Sequence, residues 1–197
     1  MKKSLSIKNI TRIAILGALG AVLMMFDFPI FIAPSFYKLD IGDLPCLIGA
    51  FAMGPIPGLF IQIIKILLKL LFKPTSTAFI GEIAAFIFSC SYCISASFIY
   101  SSDKTKKGAK KAIIIGSIVM ILVSTIANYL FIIPAYSKLY GMPLEAIISL
   151  GSAIFPIVED LFTFTICCVL PFNCLKAVLV DALTLMLYKH ISPLLKD

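Results

Sequence analysis

The sequence predicts an all-α integral membrane protein with six transmembrane helices and both termini in the cytoplasm. Of the 197 residues, 60% are hydrophobic, and the mean hydropathy is +1.06. A soluble domain of this size cannot bury so much apolar surface. Several apolar runs approach the ~20 residues with which a helix spans a bilayer. These runs are continuous rather than alternating, which disfavours a β-barrel.

The distribution of charge predicts which side of the membrane each connection faces. The formal net charge is +7, and the basic residues cluster beside apolar runs, as is typical of the cytoplasmic ends of membrane helices. This placement favours a bilayer over nucleic acid as the partner of the positive charge. It puts the N-terminus, the loop 103–111 and the C-terminus in the cytoplasm. The clustered residues are Lys2, Lys3 and Lys8, then Lys104, Lys106, Lys107, Lys110 and Lys111, then Lys189 and Lys196.

The first half of the chain predicts three helices. Residues 10–28 form the first span, because the run shows no convincing cleavage site for a signal peptide. Residues 29–42 are too polar to span, and their FYKLDI ending predicts a short extended piece. Residues 43–54 and 59–72 are short helices separated by Gly-Pro-Ile-Pro-Gly, which predicts a turn. Such short spans require a tilted or locally thinned bilayer.

The second half predicts three further spans, at residues 77–100, 112–134 and 171–188. Four crossings lead to the basic loop and two more return the chain to the cytoplasm. Residues 144–170 are therefore expected to be a re-entrant or surface-lying outer segment that leads into the last helix. In the alternative, this segment spans the membrane and the two short helices form one broken helix. Both versions give an even number of crossings.

Polar side chains interrupt the apolar runs toward the predicted outer side. Asn173 and Lys176 are three residues apart and share a helical face. An ionisable residue within a membrane costs about 2.5–3.5 kcal/mol on insertion scales unless it is paired, which favours a functional role. A structural role stays open, with Lys65 paired to Glu82 or Lys176 extended outward. The full set is Asp40, Lys65, Glu82, Asn128, Tyr129, Asn173 and Lys176.

This set predicts a ligand-binding site. Amide, ammonium and carboxylate groups can bind hydroxyls and imide-like edges, and flat apolar walls suit an aromatic ring. Together they favour a ligand with an aromatic system and a polyol tail. The aromatic side chains available for the walls are Phe36, Tyr37, Phe79, Tyr129 and Phe131.

The sequence also disfavours several chemistries. It contains no GxxxxGK[ST] phosphate loop and no HExxH metal motif. The single histidine, His190, is at the C-terminal end, and the six cysteines are interpreted as packing residues. The chain is short for a complete secondary transporter and shows no convincing internal repeat. We therefore expect a substrate-capture subunit, rather than an enzyme, that takes its energy from partner proteins.

The first helix carries small residues at close spacing. Ala14, Gly17, Ala18 and Ala21 allow another helix to approach closely. That neighbour is either a partner protein or a helix of the same bundle, and the residues alone leave both possibilities open.

Five segments in this order resemble the riboflavin-specific S components of energy-coupling factor transporters: ITRIAILGALGAVL, KLDIGDLPCLIGAFAMGPIPG, GEIAAFIF, NYLFIIPAYSKLYGMP and PFNCLKAVLVDAL. The resemblance implies one transmembrane substrate-binding domain over residues 1–197, in a bacterial cell membrane. It implies riboflavin bound near the outer surface as the transported ligand, with no cofactor. It also implies assembly with a transmembrane coupling subunit and two cytoplasmic ATPase subunits.

The resemblance further implies roles for particular residues. The AxxxA motif that docks on the coupling subunit matches Ala14 and Ala18. The loop that closes over the ligand in the family corresponds here to Leu39 and Asp40. Asn128, Asn173 and Lys176 match further residues that the resemblance assigns to ligand binding. Lys65 and Glu82 match polar positions that recur in the family. The sequence departs from the family at Ala85, where an Asn is frequent, which puts a contact from that position in doubt.

Two other functions stay open on the sequence. One is capture of a different substrate, such as thiamine, a pantothenate-like acid or a queuosine precursor. The other is an integral-membrane enzyme or lipid-handling protein that uses Glu82, Glu159 and Asp160.

Overall fold

Helices account for most of the described residues, with a short two-stranded sheet at one end. The computed structural model describes residues 6–75 and 77–196, except for the side chains of Tyr140 and of residues 189–196. In chain order the elements are α1 (Ile7–Met25), β1 (Phe28–Pro29), β2 (Lys38–Leu39), α2 (Asp43–Met53), α3 (Pro55–Phe72), α4 (Ile80–Ser102), α5 (Lys106–Ala127), α6 (Ile133–Tyr140), α7 (Leu144–Ser152), α8 (Leu161–Phe164) and α9 (Leu170–Lys196). π-helical turns join α5 to α6 (Asn128–Ile132) and α8 to α9 (Thr165–Val169).

The helices confirm the predicted multi-pass membrane fold. Within the described residues, five helical stretches are long and apolar enough to span a membrane, and the shorter apolar α2 is the sixth. At ~1.5 Å per residue, the 11 residues of α2 rise only about 16 Å. The five long stretches are Ile7–Met25, Pro55–Phe72, Ile80–Ser102, Lys106–Leu139 and Leu161–Tyr188.

The predicted boundaries of the last helix are wrong. α8, the second π-helical turn and α9 form one continuous membrane-spanning stretch that begins at Leu161 rather than at residue 171, so the segment 144–170 is not one outer piece. Its first part forms α7, and its last part belongs to the membrane-spanning stretch. The predicted basic loop is also shorter than expected, because the Thr105 side chain accepts a hydrogen bond from the Gly108 amide and caps α5.

Both π-helical turns coincide with prolines that the helices pass through. Pro134 and Pro171 lack an amide hydrogen, and their rings crowd the carbonyls four residues earlier, at Leu130 and Cys167. Each of those carbonyl residues lies inside a π-helical turn. Widening the helix locally accommodates the proline without ending the helix. The helix therefore continues where the sequence suggests a break.

The outer end of the bundle is covered by the loop between α1 and α2. Phe28 pairs with Leu39 and Pro29 with Lys38 in antiparallel register, which confirms the predicted extended piece. Leu39 is buried with Phe172 of α9, so the loop folds back onto the bundle. We call residues 26–42 the outer loop.

The opposite end of the bundle is closed by an aromatic cluster. Phe51 of α2 stacks on Tyr100 of α4 at a centroid distance of 4.6 Å. The Tyr100 hydroxyl hydrogen-bonds the Tyr188 hydroxyl of α9. The basic first turns of α5 follow α4 at this end, so the positive-inside rule makes it the cytoplasmic end. The predicted positions Lys2 and Lys3 and the side chains of residues 189–196, His190 included, lie outside the described residues.

The small residues of α1 divide between two faces. Gly17 is buried against α3, where an added Cβ would lie 2.6 Å from Ile64 Cγ2. Ala21 is buried as well, whereas Ala14 and Ala18 are exposed. One face of α1 therefore packs against the protein's own bundle, and the face with Ala14 and Ala18 stays exposed.

Candidate ligand-binding site

A cavity of about 390 Å³ lies at the outer end of the bundle, beneath the outer loop. Its volume falls within the ~300–1,000 Å³ typical of small-molecule sites. The outer loop, α3, α4, α5, α6, α7 and α9 all contribute to its walls. The polar and charged residues that line it are Asp27, Lys38, Asp40, Asp43, Lys69, Lys73, Thr77, Glu82, Ser89, Asn128, Asn173 and Lys176.

Asn128 enters the cavity because it begins the first π-helical turn. Its side chain is 1% exposed. The side-chain Nδ2 donates to the Ser124 carbonyl at 2.8 Å, and Oδ1 accepts from the Tyr37 hydroxyl at 2.8 Å. This bond fastens the outer loop to α5 across the cavity.

Asn173 lies on α9, four residues after Val169, which ends the second π-helical turn. Its Nδ2 donates to the Val169 carbonyl at 2.9 Å, which fixes the orientation of the amide. Among the described residues, nothing donates a hydrogen bond to Oδ1. This oxygen is therefore available to a ligand that carries a donor, such as an imide N–H or a hydroxyl.

Lys176 joins the outer loop to the floor of the cavity. Its Nζ lies 2.9 Å from Asp40 Oδ2 and 3.4 Å from Asp43 Oδ2. The ammonium carries three N–H donors, one of which donates to Asp40, while Asp43 adds an ion pair at longer range. The alternative in which Lys176 extends outward does not apply, because the side chain is held between two acids.

Asp43 is the centre of the buried charge network. Its Oδ1 accepts from Lys65 Nζ at 2.6 Å and from the Ser89 hydroxyl at 2.5 Å. Gln62 Nε2 adds a longer contact at 3.4 Å. Because Asp43 is at the first turn of α2, the positive end of the helix dipole also favours its negative charge.

Glu82 terminates a second buried pair near the cavity mouth. Its Oε1 accepts from Lys69 Nζ at 2.6 Å, and Oε2 accepts from the hydroxyls of Thr75 and Thr77 at 2.9 and 3.0 Å. The turn that presents these threonines is strained, since Ala78 has φ 47° in the left-handed region.

Asp27 and two lysines form the most exposed part of the rim. Lys73 Nζ lies 2.6 Å from Asp27 Oδ1, and Lys38 Nζ lies 3.8 Å from the same atom. The pair connects the outer loop to the end of α3. Together with the Lys176–Asp40 pair, it ties both ends of the loop to the bundle.

Aromatic rings form the apolar wall under the outer loop. Phe36 stacks on Tyr136 of α6 at a centroid distance of 5.5 Å, and Tyr37 contacts Phe172 of α9 at 5.3 Å. Burial raises the pKa of the Tyr37 phenol well above its usual range. The phenol therefore stays protonated and donates to Asn128 at any physiological pH.

The structure brings five of the eight predicted ligand-binding residues to the cavity surface: Asp40, Glu82, Asn128, Asn173 and Lys176. Leu39, Lys65 and Tyr129 lie outside the lining. Leu39 belongs to the outer loop, and its side chain is buried against Phe172 rather than at the cavity. Lys65 is 1% exposed and pairs with Asp43, so the alternative that paired Lys65 with Glu82 does not hold.

Three aromatic side chains predicted for the walls face outward instead. Tyr129 contacts Phe162 edge-on at 6.3 Å on the outside of the bundle. Phe79 and Phe131 are 55% and 66% exposed. Of the five predicted aromatic residues, Phe36 and Tyr37 line the cavity, together with Phe88, Tyr136 and Phe172.

Asp43, Lys69, Lys73 and Asp27 were missed by the sequence reasoning. A signal for them exists, because Lys65, Lys69 and Lys73 recur at intervals of four residues and therefore share one face of α3. Each of these lysines meets one acid, which is Asp43, Glu82 or Asp27 in turn. Ala85, where the resemblance leads one to expect Asn, lines the cavity with a methyl group.

The acids proposed for an enzyme do not converge. Glu159 and Asp160 are exposed at the start of α8, and neither lines the cavity that contains Glu82. Asp160 accepts from the Thr163 amide at 2.7 Å as a helix cap. Hydrogen bonds from Thr163 lower the pKa of the Asp160 carboxyl.

A small helical membrane bundle with a polar, loop-covered cavity at its outer end defines a membrane-embedded ligand-binding protein. The family model described as "ECF transporter, substrate-specific component" matches residues 8–188. The chain therefore belongs to this family, and it is a multi-pass transporter component of the bacterial cell membrane rather than an enzyme.

Comparisons with individual proteins agree with the family. The chain is 28% identical over 189 residues to Riboflavin transporter RibU of Staphylococcus aureus (strain TCH60), covering 96% of this chain and 93% of the relative. It is 23% identical over 190 residues to Riboflavin transporter FmnP of Bacillus subtilis (strain 168), covering 96% and 94%. A solved S component of a bacterial ECF transporter superposes with a TM-score of 0.73 at 29% identity, over 96% of this chain and 98% of that chain.

Proposed function

We propose that this chain captures riboflavin from the extracellular side and delivers it to an ATP-driven import complex. The observation that carries the proposal is the outer cavity, which combines two buried amides, aromatic walls and fully paired buried charges. Riboflavin is an uncharged molecule with a flat ring, an imide edge and a polyol tail. The names of the relatives, which are riboflavin transporters, support the same ligand.

The charge balance of the cavity supports an uncharged ligand. Asp40 and Asp43 balance Lys65 and Lys176, and Glu82 balances Lys69 in the same way. A buried cationic or anionic ligand would need an uncompensated partner charge, because burying an unpaired charge is strongly unfavourable. For a ligand buried among these groups, the balance favours riboflavin over thiamine, which is a cation, and over a pantothenate-like acid. The exposed rim differs, because Lys38 and Lys73 share one acid, Asp27.

The amides are proposed to bind the polar edges of the ligand. Asn173 Oδ1 accepts from the imide or a hydroxyl, and Asn128 bonds the ligand when Tyr37 yields its place. Lys176 contributes an N–H that is not donated to Asp40, and Asp40 and Glu82 accept from hydroxyls. Leu39 and Lys65 act indirectly in this proposal, since they fix the outer loop and the carboxylate of Asp43.

The outer loop is proposed to close over the bound ligand. Two ion pairs hold its ends, at Asp27–Lys73 and at Asp40–Lys176. Its middle rests on the bundle through Tyr37 and the stacking of Phe36 on α6. The middle can therefore lift while the ends stay attached, which opens the cavity to the outside.

We propose that residues 1–197 act as one substrate-binding domain that has no energy source of its own. The exposed alanines Ala14 and Ala18 of α1 are the proposed docking face for a transmembrane coupling subunit. Two cytoplasmic ATPase subunits would then supply the energy. Toppling of the loaded bundle within the membrane would carry the cavity to the cytoplasmic side.

Purification of the full chain from cells grown with riboflavin tests the proposal. We expect a yellow protein with flavin absorbance, one riboflavin per chain by mass spectrometry, and a dissociation constant at or below the micromolar range by calorimetry. A colourless protein that binds riboflavin more weakly than micromolar, or that carries thiamine or another vitamin, would overturn the choice of ligand. The Asn173→Ala variant is the matched control, since it should lower flavin occupancy while preserving the bundle.

A further inference from the structure

Four lysines lie on the first two turns of α5: Lys106, Lys107, Lys110 and Lys111. A helix disfavours positive charge at its N-terminal end, because the macrodipole is positive there. All four side chains are exposed, and none of them forms an ion pair within the described part of the chain. Among the described residues, Asp103 accepts a hydrogen bond from the Thr105 amide at 3.2 Å beside this helix end, so one acid faces four lysines there. We call the four residues the lysine stripe.

Two members of the lysine stripe, Lys106 and Lys110, continue the face of α5 that points away from the bundle. Lys106, Lys110, Ile114, Ile118 and Leu122 follow one another at intervals of four residues and so share one face. The three apolar members are each more than half exposed. The opposite face is buried, at Gly108, Ala109, Ala112, Ile113, Gly116, Ser117 and Met120. In a membrane the exposed apolar residues contact acyl chains, so the lysines directly below them lie at the headgroups.

The position of α5 separates the lysine stripe from the proposed docking face. α5 packs chiefly on α4 and α9, whereas α1 packs on α2 and α3. The exposed alanines Ala14 and Ala18 are on α1. A coupling subunit docked there would occupy a different side of the bundle from α5, which leaves the lysine stripe to the surrounding lipid. This step rests on the proposed function.

We propose that the lysine stripe binds the headgroup phosphates of anionic lipids in the cytoplasmic leaflet. A lysine near an anionic surface strengthens membrane association by about 1 kcal/mol, or roughly fivefold. The four side chains extend from adjacent turns, so they can contact one or two phosphates together. The binding would fix the depth of α5 at the cytoplasmic surface.

Native mass spectrometry of the detergent-purified full chain tests this proposal. The protein is titrated with phosphatidylglycerol and, separately, with phosphatidylcholine of the same acyl chains. The test variant replaces all four lysines with glutamine (K106Q, K107Q, K110Q and K111Q). The matched control replaces them with arginine, which keeps the charge. We expect the original protein and the arginine control to prefer phosphatidylglycerol by at least about tenfold, and the glutamine variant to lose that preference.

Three outcomes would overturn the proposal. The first is a glutamine variant that keeps the full preference for phosphatidylglycerol. The second is equal competition by free glycerol phosphate, which would indicate a site for a soluble anion. The third is a glutamine variant that keeps its lipid preference but no longer binds the coupling complex. This result would indicate that the lysine stripe contacts a protein. Riboflavin binding is measured on the same samples, so its absence in every protein would contradict the proposed function without deciding the lipid proposal.

Discussion

Lys176 on α9 and Asp40 in the outer loop form an ion pair of 2.9 Å although they are 136 positions apart in the chain. The pair lies at the edge of the cavity, where Lys176 also approaches Asp43 at 3.4 Å. It therefore links three parts of the site: the loop that covers the ligand, the floor of the cavity and the helix that carries Asn173. Disturbing this pair should affect ligand binding more than the stability of the bundle.

The first prediction is that Asp40→Asn weakens riboflavin binding by at least about tenfold. The substitution removes the charged acceptor that holds the outer loop on Lys176, and hydrogen bonds to charged groups contribute about 1.5–3 kcal/mol. Quenching of riboflavin fluorescence measures the dissociation constant. Asp27→Asn, in the same loop, is the matched control and should have a smaller effect, because its partner Lys73 is 39% exposed. Equal losses in the two variants would contradict a special role for the Lys176–Asp40 pair.

The second prediction concerns stability. Asp43→Asn should lower the free energy of unfolding by about 3–5 kcal/mol, because it leaves Lys65 buried without a counter-charge. The change is measured as a fall in the thermal midpoint of the detergent-purified protein. Adding Lys65→Met removes the stranded charge, so the double variant should recover much of the loss. A single variant as stable as the original protein would show that the buried pair is not essential to the fold.

The third prediction uses two neighbouring residues that face opposite ways. Asn128→Ala should weaken riboflavin binding by about fivefold, since the hydrogen bond that it is proposed to make to the ligand contributes about 1 kcal/mol. Tyr129→Ala should leave the dissociation constant nearly unchanged, because Tyr129 contacts Phe162 on the outside. If Tyr129→Ala weakened binding as much as Asn128→Ala, the assignment of faces would be wrong.

The sequence was sufficient to predict the membrane fold and the number of crossings. Long apolar runs have few alternatives to membrane helices, and clustered lysines fix their direction. The start of the last helix was missed because Pro171 ordinarily ends a helix. Here a π-helical turn at Thr165–Val169 accommodates the proline. The second π-helical turn also contacts the first, a long-range contact that residue patterns near Pro171 do not reveal.

The sequence identified the polar residues of the site better than it identified their partners. Asn128 and Asn173 stand out because amides are rare in apolar runs, and both line the cavity. The pairing of Lys65 was wrong because it depends on how deep each lysine of α3 lies relative to α2 and α4. Asp43 begins a helix, where an acid has an ordinary explanation as a favourable first-turn charge. Only the three-dimensional arrangement shows that it accepts from three side chains at once.

The fourth prediction separates capture from transport. Ala14 and Ala18 are exposed on α1 while Gly17 between them is buried against Ile64. Replacing both alanines with leucine therefore changes the outer face of α1 and leaves its packing on α3 intact. Small residues allow close approach of a second helix, so bulky ones should prevent docking.

We expect the Ala14→Leu, Ala18→Leu variant to bind riboflavin with an unchanged dissociation constant and to lose uptake in cells that express the whole import complex. Ala182→Leu provides the matched control, since Ala182 is an exposed alanine on α9, and it should retain uptake. Co-purification with the coupling subunit would distinguish failed docking from failed delivery. Loss of riboflavin binding in the double variant would contradict the division of roles, because the substituted face is separated from the cavity by the body of α1.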